Sequence, residues 1–323
     1  MDADVDRVEA IARAALPFYD CAPDTSLTLL NISENATFRV DTPTPTIMRV
    51  HRQGYHSRAA IESELAWVGA LRDEGLVRTA PVISARDGRT VVQASHPDGE
   101  TRNAVMFEWL PGVEPPEDRL VDDFVTLGAI TARLHLHAKS WVAPAGFTRF
   151  TWDFETALGR HGHWGSWRDG MAVGPQEEVI LGRAADLIGR RLEAYGQGPD
   201  RFGLVHADMR LANLLVDGDS VAVIDFDDCG FSWFMYDLGS SLSFIEDSPL
   251  VPQLIDSWTT GYRSVAHLSA EDEGELETFV MFRRLLLVSW IGSHSMTELA
   301  QEMGEPYTEV SCTLAETYLS RYS

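Results

Sequence analysis

The chain's 323 residues carry 26 Lys and Arg against 49 Asp and Glu, a formal charge of −23 that repels nucleic acid and anionic lipid headgroups and argues against both as partners. Its 45% apolar content supports a real core, and its length suits two domains or lobes. Three widely separated cysteines, Cys21, Cys229 and Cys312, an acidic N-terminus and an apolar maximum (Leu285 to Val288, then Trp290 and Ile291) too short for a bilayer argue against disulfides, a zinc knuckle, a signal peptide and a membrane span, so a cytoplasmic protein is expected.

In chain order, Val5 to Leu16 has helical spacing, ending at Pro17. The period then changes. Leu27 to Leu30, Ala36 to Val40, Thr46 to His51, Val82 to Ser84, Thr90 to Ala94 and Ala104 to Trp109 are short β-prone runs. Turn residues such as Asp41-Thr42-Pro43 and Arg86-Asp87-Gly88 separate them, which predicts antiparallel hairpins. One helix interrupts them, Ser57 to Glu74, with Ile61, Leu65, Val68 and Leu71 on one face and Glu64 beside it. After Leu110-Pro111-Gly112 and Pro115-Pro116, helices dominate: Phe124 to His137, Glu177 to Tyr195, one beginning at Ser240 to Phe244, Leu254 to Tyr262, Glu275 to Ile291 and Tyr307 to Leu319. The strands expected in this half are Gly203 to Val205, Asn213 to Val216 and Val221 to Ile224. The fold class is therefore α+β and bilobal: residues 1–109 form a small antiparallel-sheet lobe and 110–323 a larger helical lobe.

His206-Ala207-Asp208 follows a strand, Asn213 stands five residues on, and Asp225 follows a second apolar run. That is the layout of a kinase-type phosphoryl-transfer centre. Such chemistry needs alignment and charge neutralisation more than covalent help. Asp208 is the expected acceptor of the substrate hydroxyl's hydrogen bond. Asn213 and Asp225 supply hard oxygen ligands for Mg2+, and Arg210 supplies a cation for the transferring group. Asp227 is either a further metal contact or a turn-stabilising residue. His206 is expected to brace the loop, and Asp237 to cap a helix or anchor the loop from within.

These residues resemble the aminoglycoside phosphotransferase and choline kinase branch of the protein-kinase-like superfamily, nearest to bacterial homoserine kinase, hydroxylysine kinase and stress-response Ser/Thr kinase types. The resemblance rests on His206 to Asn213, Ile224-Asp225-Phe226-Asp227-Asp228, Tyr236-Asp237-Leu238, Ala132-Arg133-Leu134-His135, Ser33 to Val40 and Ile47-Met48-Arg49-Val50. It implies an ATP-binding first lobe. Arg49 takes the place of the usual phosphate-binding Lys and Glu64 that of its helix partner, the alternative being a surface ion pair. Ser33, Asn35 and Thr37 stand in a nucleotide loop that lacks the usual glycines, and Phe107, Glu108, Trp109 and Leu110 in an adenine-reading hinge.

An acceptor is expected near 147–170, where Trp152, Phe154, His161, His163, Trp164, Trp167 and Arg168 crowd together, either lining a pocket or packing an irregular connection. Glu246 and Asp247 either receive a cationic acceptor or form a solvated face. The expected function is ATP- and Mg2+-dependent transfer of the γ-phosphate to a hydroxyl of a small molecule: an amino alcohol, a hydroxy amino acid or an amino sugar. The rivals are a protein Ser/Thr kinase, against which stand the mere eleven residues separating Asp225 from Asp237, and a nucleotide-binding pseudokinase. Oligomeric state is left open.

Overall fold

Val8, Ile11, Ala12 and Ala15 are buried along one stripe of α1 (Asp2–Ala15), the i, i+3, i+4, i+7 spacing of an amphipathic helix. In this computed structural model, which describes residues 2–32, 35–116 and 119–323, that stripe lies on one face of an antiparallel sheet. The strands are β1 (Leu27–Ile32), β2 (Ala36–Val40), β3 (Thr46–Val50), β4 (Val82–Ile83), β5 (Val92–Ser95) and β6 (Thr101–Glu108). Their order is β1-β2-β3-β6-β4, with β5 also on β6. Alternation sorts the side chains: Phe38, Val40, Met48, Val50, Ala104 and Met106 pack with α1, while Val105 and Phe107 pack with Ile61 and Leu65 of α2 (Arg58–Asp73). Ser57 caps α2 by accepting the Ala60 N–H at 3.1 Å.

The chain divides into two compact units. The first comprises Met1–Val113, Val142–Arg149 and Leu215–Asp227; the second comprises Glu114–Trp141, Phe150–Leu214 and Asp228–Ser323. The third stretch of the first unit carries most of a hairpin, β9 (Leu214–Asp217) and β10 (Ser220–Val223). Val113 and Val216 exchange main-chain hydrogen bonds at 3.0 and 2.8 Å, and Val223 donates to the Arg78 carbonyl at 2.8 Å.

In the second unit, α3 (Leu120–Ser140) lies against α7 (Val251–Arg263) with backbones nearly touching. A Cβ on Gly128 would fall 2.0 Å from the Trp258 carbonyl oxygen, and one on Gly261 would fall 1.8 Å from that of Val125, so only glycine fits at either place. α4 (Phe154–Leu158), α5 (Pro175–Tyr195), α6 (Tyr236–Ser241), α8 (Ala270–Gly274), α9 (Leu276–Ser293) and α10 (Glu298–Tyr322) complete the helices, α10 kinking at Gly304 ahead of Pro306. A small sheet joins β7 (Phe150–Thr151), β11 (Gly230–Trp233) and β8 (Phe202–Val205), with β11 antiparallel to β8 and parallel to β7. Among the described residues no helix is long and apolar enough to cross a membrane.

The α+β expectation holds, and the predicted strands of the sheet lie within two or three residues of their places. Three readings need correction. The helix expected to begin at Ser240 is α6, which starts at Tyr236 and stops at Ser241; Phe244 has left-handed backbone, φ 70°. β7 and β11 were not expected. Gly230, Ser232 and Trp233 are all buried, so β11 carries no polar face to betray its period.

Candidate active site

β8 ends at Val205, and the chain turns through Ala207 in left-handed conformation (φ 68°) to present Asp208. Such a backbone costs a non-glycine residue about 1 to 2 kcal/mol and persists only where its surroundings enforce it. Asp237, fully buried on α6, does so. Its Oδ1 accepts the Ala207 N–H at 2.7 Å and its Oδ2 the His206 N–H at 3.2 Å. His135 Nε2 lies 3.0 Å from Oδ2 and its Nδ1 3.1 Å from the Tyr262 hydroxyl. Because a carboxylate only accepts, Nε2 carries the proton and Tyr262 donates to Nδ1. Burial lowers the His135 pKa, which suits this neutral imidazole. Asp237 is therefore the internal anchor rather than a helix cap. Ser240 Oγ accepts the Met209 N–H at 3.0 Å, and His206 Nδ1 accepts the Asp208 N–H at 3.3 Å, bracing the loop.

Asp208 sits among donors. Its Oδ2 accepts from Asn213 Nδ2 at 2.8 Å and Arg210 Nε at 3.1 Å, and its Oδ1 from Arg283 Nη2 at 2.8 Å. Burial works against the ionised form, but Arg210 and Arg283 outweigh it and hold the carboxyl below its ordinary range. Asn213 Nδ2 also donates to the Asp208 carbonyl at 2.8 Å, so its amide nitrogen faces Asp208 and its Oδ1 is the atom turned elsewhere. Arg283, on α9, further donates to the Tyr236 hydroxyl at 2.8 Å, Ser243 Oγ at 2.9 Å and the Ala207 carbonyl at 3.3 Å. Its guanidinium lies 5.3 Å from the Trp164 ring. Sequence reasoning missed Arg283; the signal was a pair of arginines set inside the most apolar helix of the chain.

Arg49, Glu64 and Phe107 gather on the α2 face of the sheet unit. Arg49 on β3 is buried, donates to Glu64 Oε1 of α2 at 2.5 Å and lies over the Phe107 ring at 5.3 Å. The surface-pair alternative is excluded, since Glu64 is 1% exposed. Burial pushes the Glu64 pKa up against the pull of Arg49, whereas Glu64, Asp227 and Asp225 together raise that of Arg49 despite its own burial. Arg49 Nη1 is 3.5 Å from Asp225 Oδ1. Asp225 has left-handed backbone (φ 59°) and an exposed side chain.

Asp227 is buried instead. Its Oδ2 accepts from Asn35 Nδ2 at 2.7 Å, and its carbonyl oxygen meets His56 Nε2 at 2.8 Å and also receives Arg149 Nη2. Arg149 donates in addition to the Ala60 carbonyl at 3.0 Å. Burial despite the nearby Asp227 pushes His51 down to about 3 and His56 to about 4, so their approaches to Asp227, at 3.5 and 3.6 Å, are not ion pairs at neutral pH. Although burial opposes ionisation, Arg49 and the other neighbours bring Asp227 to about 2.

Asn35, placed at the nucleotide loop by sequence, also accepts the Arg52 N–H at 3.0 Å through Oδ1. Thr37 stands opposite Arg49 in the β2–β3 register, half-buried. Ser33 lies outside the described residues. Glu108 and Trp109 are exposed at the end of β6, Leu110 is half-buried, and Arg39 lies 5.5 Å from the Trp109 ring. Trp164 and Trp167 are buried. Trp164 packs on Trp152 at 5.1 Å and on Arg283, whereas Trp167 stacks with Arg168 at 4.1 Å. Glu246 and Asp247 part company. Asp247 is exposed, but Glu246 is buried against Arg284 Nη1 at 2.8 Å, with the Tyr307 hydroxyl 3.3 Å from Oε1. The solvated-face reading therefore fails for Glu246.

The donors available for a metal are hard oxygens. In the first unit the Asp225 carboxylate is exposed and Asp227 Oδ1 is buried without a hydrogen-bond partner, an atom that a cation would satisfy; in the second, Asn213 Oδ1 is turned from Asp208. This chemistry fits Mg2+ or Ca2+.

Known phosphotransferases resemble this chain. A family model described as "Phosphotransferase enzyme family" matches residues 27–268. The chain is 50% identical to a microcompartment-associated aminopropanol kinase of known structure, with a TM-score of 0.91 over 97% of this chain and 98% of that one. An amicoumacin kinase solved with AMP-PNP and Ca2+ is 21% identical, with a TM-score of 0.78 over 98% of this chain and 95% of that one, and so shares the fold. The amicoumacin kinase of Bacillus subtilis (strain 168) is 26% identical over 253 residues, 76% of this chain and 66% of that protein. The matched stretch takes in the 206–213 loop, Asp225, Asp227 and the Arg49–Glu64 pair, and the chain belongs to the phosphotransferase enzyme family.

Proposed function

We propose that this protein is an ATP- and Mg2+-dependent kinase that transfers the γ-phosphate to the hydroxyl of a short amino alcohol. The reading is carried by the ionised, triply hydrogen-bonded Asp208 in a chain half identical, along nearly its whole length, to an aminopropanol kinase. An acid surface of net charge −23 favours a cationic acceptor over an anionic one.

In this reading the acceptor hydroxyl donates to the Asp208 carboxylate. A carboxylate held below its ordinary pKa is a weak base, so Asp208 chiefly orients the hydroxyl and takes the proton late, as a loose transition state allows. Arg210 offsets charge on the transferring group. Arg49, fixed by Glu64, binds nucleotide phosphate together with donors from Ser33, Asn35 and Thr37, and 107–110 receives the adenine. Asn213, Asp225 and Asp227 would hold the metal, and Mg2+ would supply neutralisation of phosphate charge.

The test is turnover of purified protein with ATP or GTP and Mg2+ against 1-amino-2-propanol, ethanolamine, homoserine, hydroxylysine, an aminoglycoside panel and peptide pools. Amino alcohols should be phosphorylated on oxygen with kcat/KM at least tenfold above their amine-free analogues. Phosphorylation of peptides or aminoglycosides alone would replace this acceptor class, and nucleotide binding without any turnover would leave a pseudokinase.

A further inference from the structure

Arg283 lies about seventy residues beyond the catalytic loop, on α9, yet it is the donor that meets Asp208 Oδ1. A carboxylate offers about four acceptor positions, two per oxygen. Among the described residues Oδ2 receives two donors, Asn213 Nδ2 and Arg210 Nε, and Oδ1 receives one, Arg283 Nη2. We propose that Arg283 is a positioning residue for phosphoryl transfer, fixing the carboxylate so that the remaining acceptor position on Oδ1 takes the substrate hydroxyl. This rests on the phosphotransferase reading above.

Three features mark the guanidinium as a rigid clamp rather than a loose counter-ion. It is 3% exposed. Its other donors go to Ser243 Oγ, the Tyr236 hydroxyl and the Ala207 carbonyl, so rotation would break bonds on three further residues. Its guanidinium carbon lies close to two aromatic rings, Trp164 at 5.3 Å and Tyr236 at 5.9 Å. The next residue, Arg284, reaches Glu246, Ser311 and the Tyr307 carbonyl at 2.7 to 3.0 Å, which pins the rotation of α9 and with it the direction of Arg283. A planar fork satisfies this geometry; an ammonium, with three donors at one point, does not.

The experiment measures Arg283→Lys and Arg283→Gln beside the unmodified protein, with kcat, KM for nucleotide and acceptor, and thermal unfolding. Positioning predicts that kcat falls about tenfold in the Lys variant and a hundredfold in the Gln variant, each KM staying within threefold, since alignment rather than binding is lost. If Arg283→Gln does not fold, the Lys variant decides alone. A kcat within threefold of the unmodified protein in a folded variant overturns the proposal, as does a loss carried by acceptor KM alone. An unmodified protein inactive on every acceptor instead overturns the phosphotransferase reading, so the two failures are told apart.

Discussion

The carboxylate of Asp237 holds the left-handed Ala207 by its main-chain N–H at 2.7 Å, one residue ahead of Asp208. The stability of the loop and the aim of its carboxylate therefore share one support. Asp237→Ala would leave the buried N–H groups of Ala207 and His206 without their acceptor and His135 without its partner. Each orphaned group costs about 1 to 3 kcal/mol, so a loss of at least 3 kcal/mol is expected in urea unfolding. The protein that remains folded should turn over about a hundredfold more slowly. Normal kcat in the variant would show that Asp208 is aimed without Asp237.

Arg49→Met would strand Glu64, 1% exposed, beside Asp227 and Asp225. Breaking a buried pair on one side typically costs 3 to 5 kcal/mol, and nucleotide KM should rise at least tenfold through the lost cation. Arg49→Lys keeps the charge and should recover most of the stability. An unchanged nucleotide KM in Arg49→Met would remove Arg49 from the nucleotide site while leaving the structural pair in place.

Acid should weaken the sheet unit well above the carboxylate range. Above pH 6.5 folded and unfolded chains both carry neutral imidazoles at His51 and His56, so pH has no effect through them. Below it the unfolded chain takes up protons that the folded chain refuses until about pH 4 at His56 and about pH 3 at His51, and stability falls as pH drops. Each histidine contributes a slope of about 1.4 kcal/mol per pH unit. Asp227, at about 2 when folded, loses its own contribution only as pH falls from about 4 toward 2. Urea midpoints without divalent ions should decline from pH 6.5 to 5, and His51→Gln should roughly halve the slope. A flat profile would mean that these imidazoles charge freely in the folded state.

Glu246 and Arg284 are a structural strut. Glu246→Leu or Arg284→Met alone should cost about 3 to 5 kcal/mol, because either leaves a buried charge unpaired, whereas the double replacement should recover most of that loss. Acceptor KM should stay within threefold in the double variant. A tenfold rise there would return Glu246 to the acceptor site.

What the sequence disclosed follows from how each element meets solvent. β2, β5 and α2 each present distinct faces, so their periods survive in the residue order, and Asp208, Asn213 and Asp225 are spaced by loop geometry local to the chain. α6 is buried all round and β11 has no exposed residue, so neither has a polar side to mark its register. The partners of Arg283 and Arg149 were hidden for another reason. Those partners, Asp208 and the Asp227 carbonyl, lie 75 and 78 residues away, a distance that no local pattern spans. Glu246 looked like a neighbour of Asp247 until Arg284, 38 residues on, claimed it.

After Val113 the chain leaves the sheet unit, returns for Val142–Arg149, leaves again and returns for Leu215–Asp227. On a ribosome Asn35, His56 and Arg149 must wait until Asp227 has emerged before they can find it. A gene fragment ending at the first crossing would encode the six-stranded sheet without the separate β9–β10 hairpin of its unit and without the Asp227 carboxylate. Such a fragment should be recovered as aggregate, whereas nicks within surface turns of the full-length polypeptide should leave both units standing.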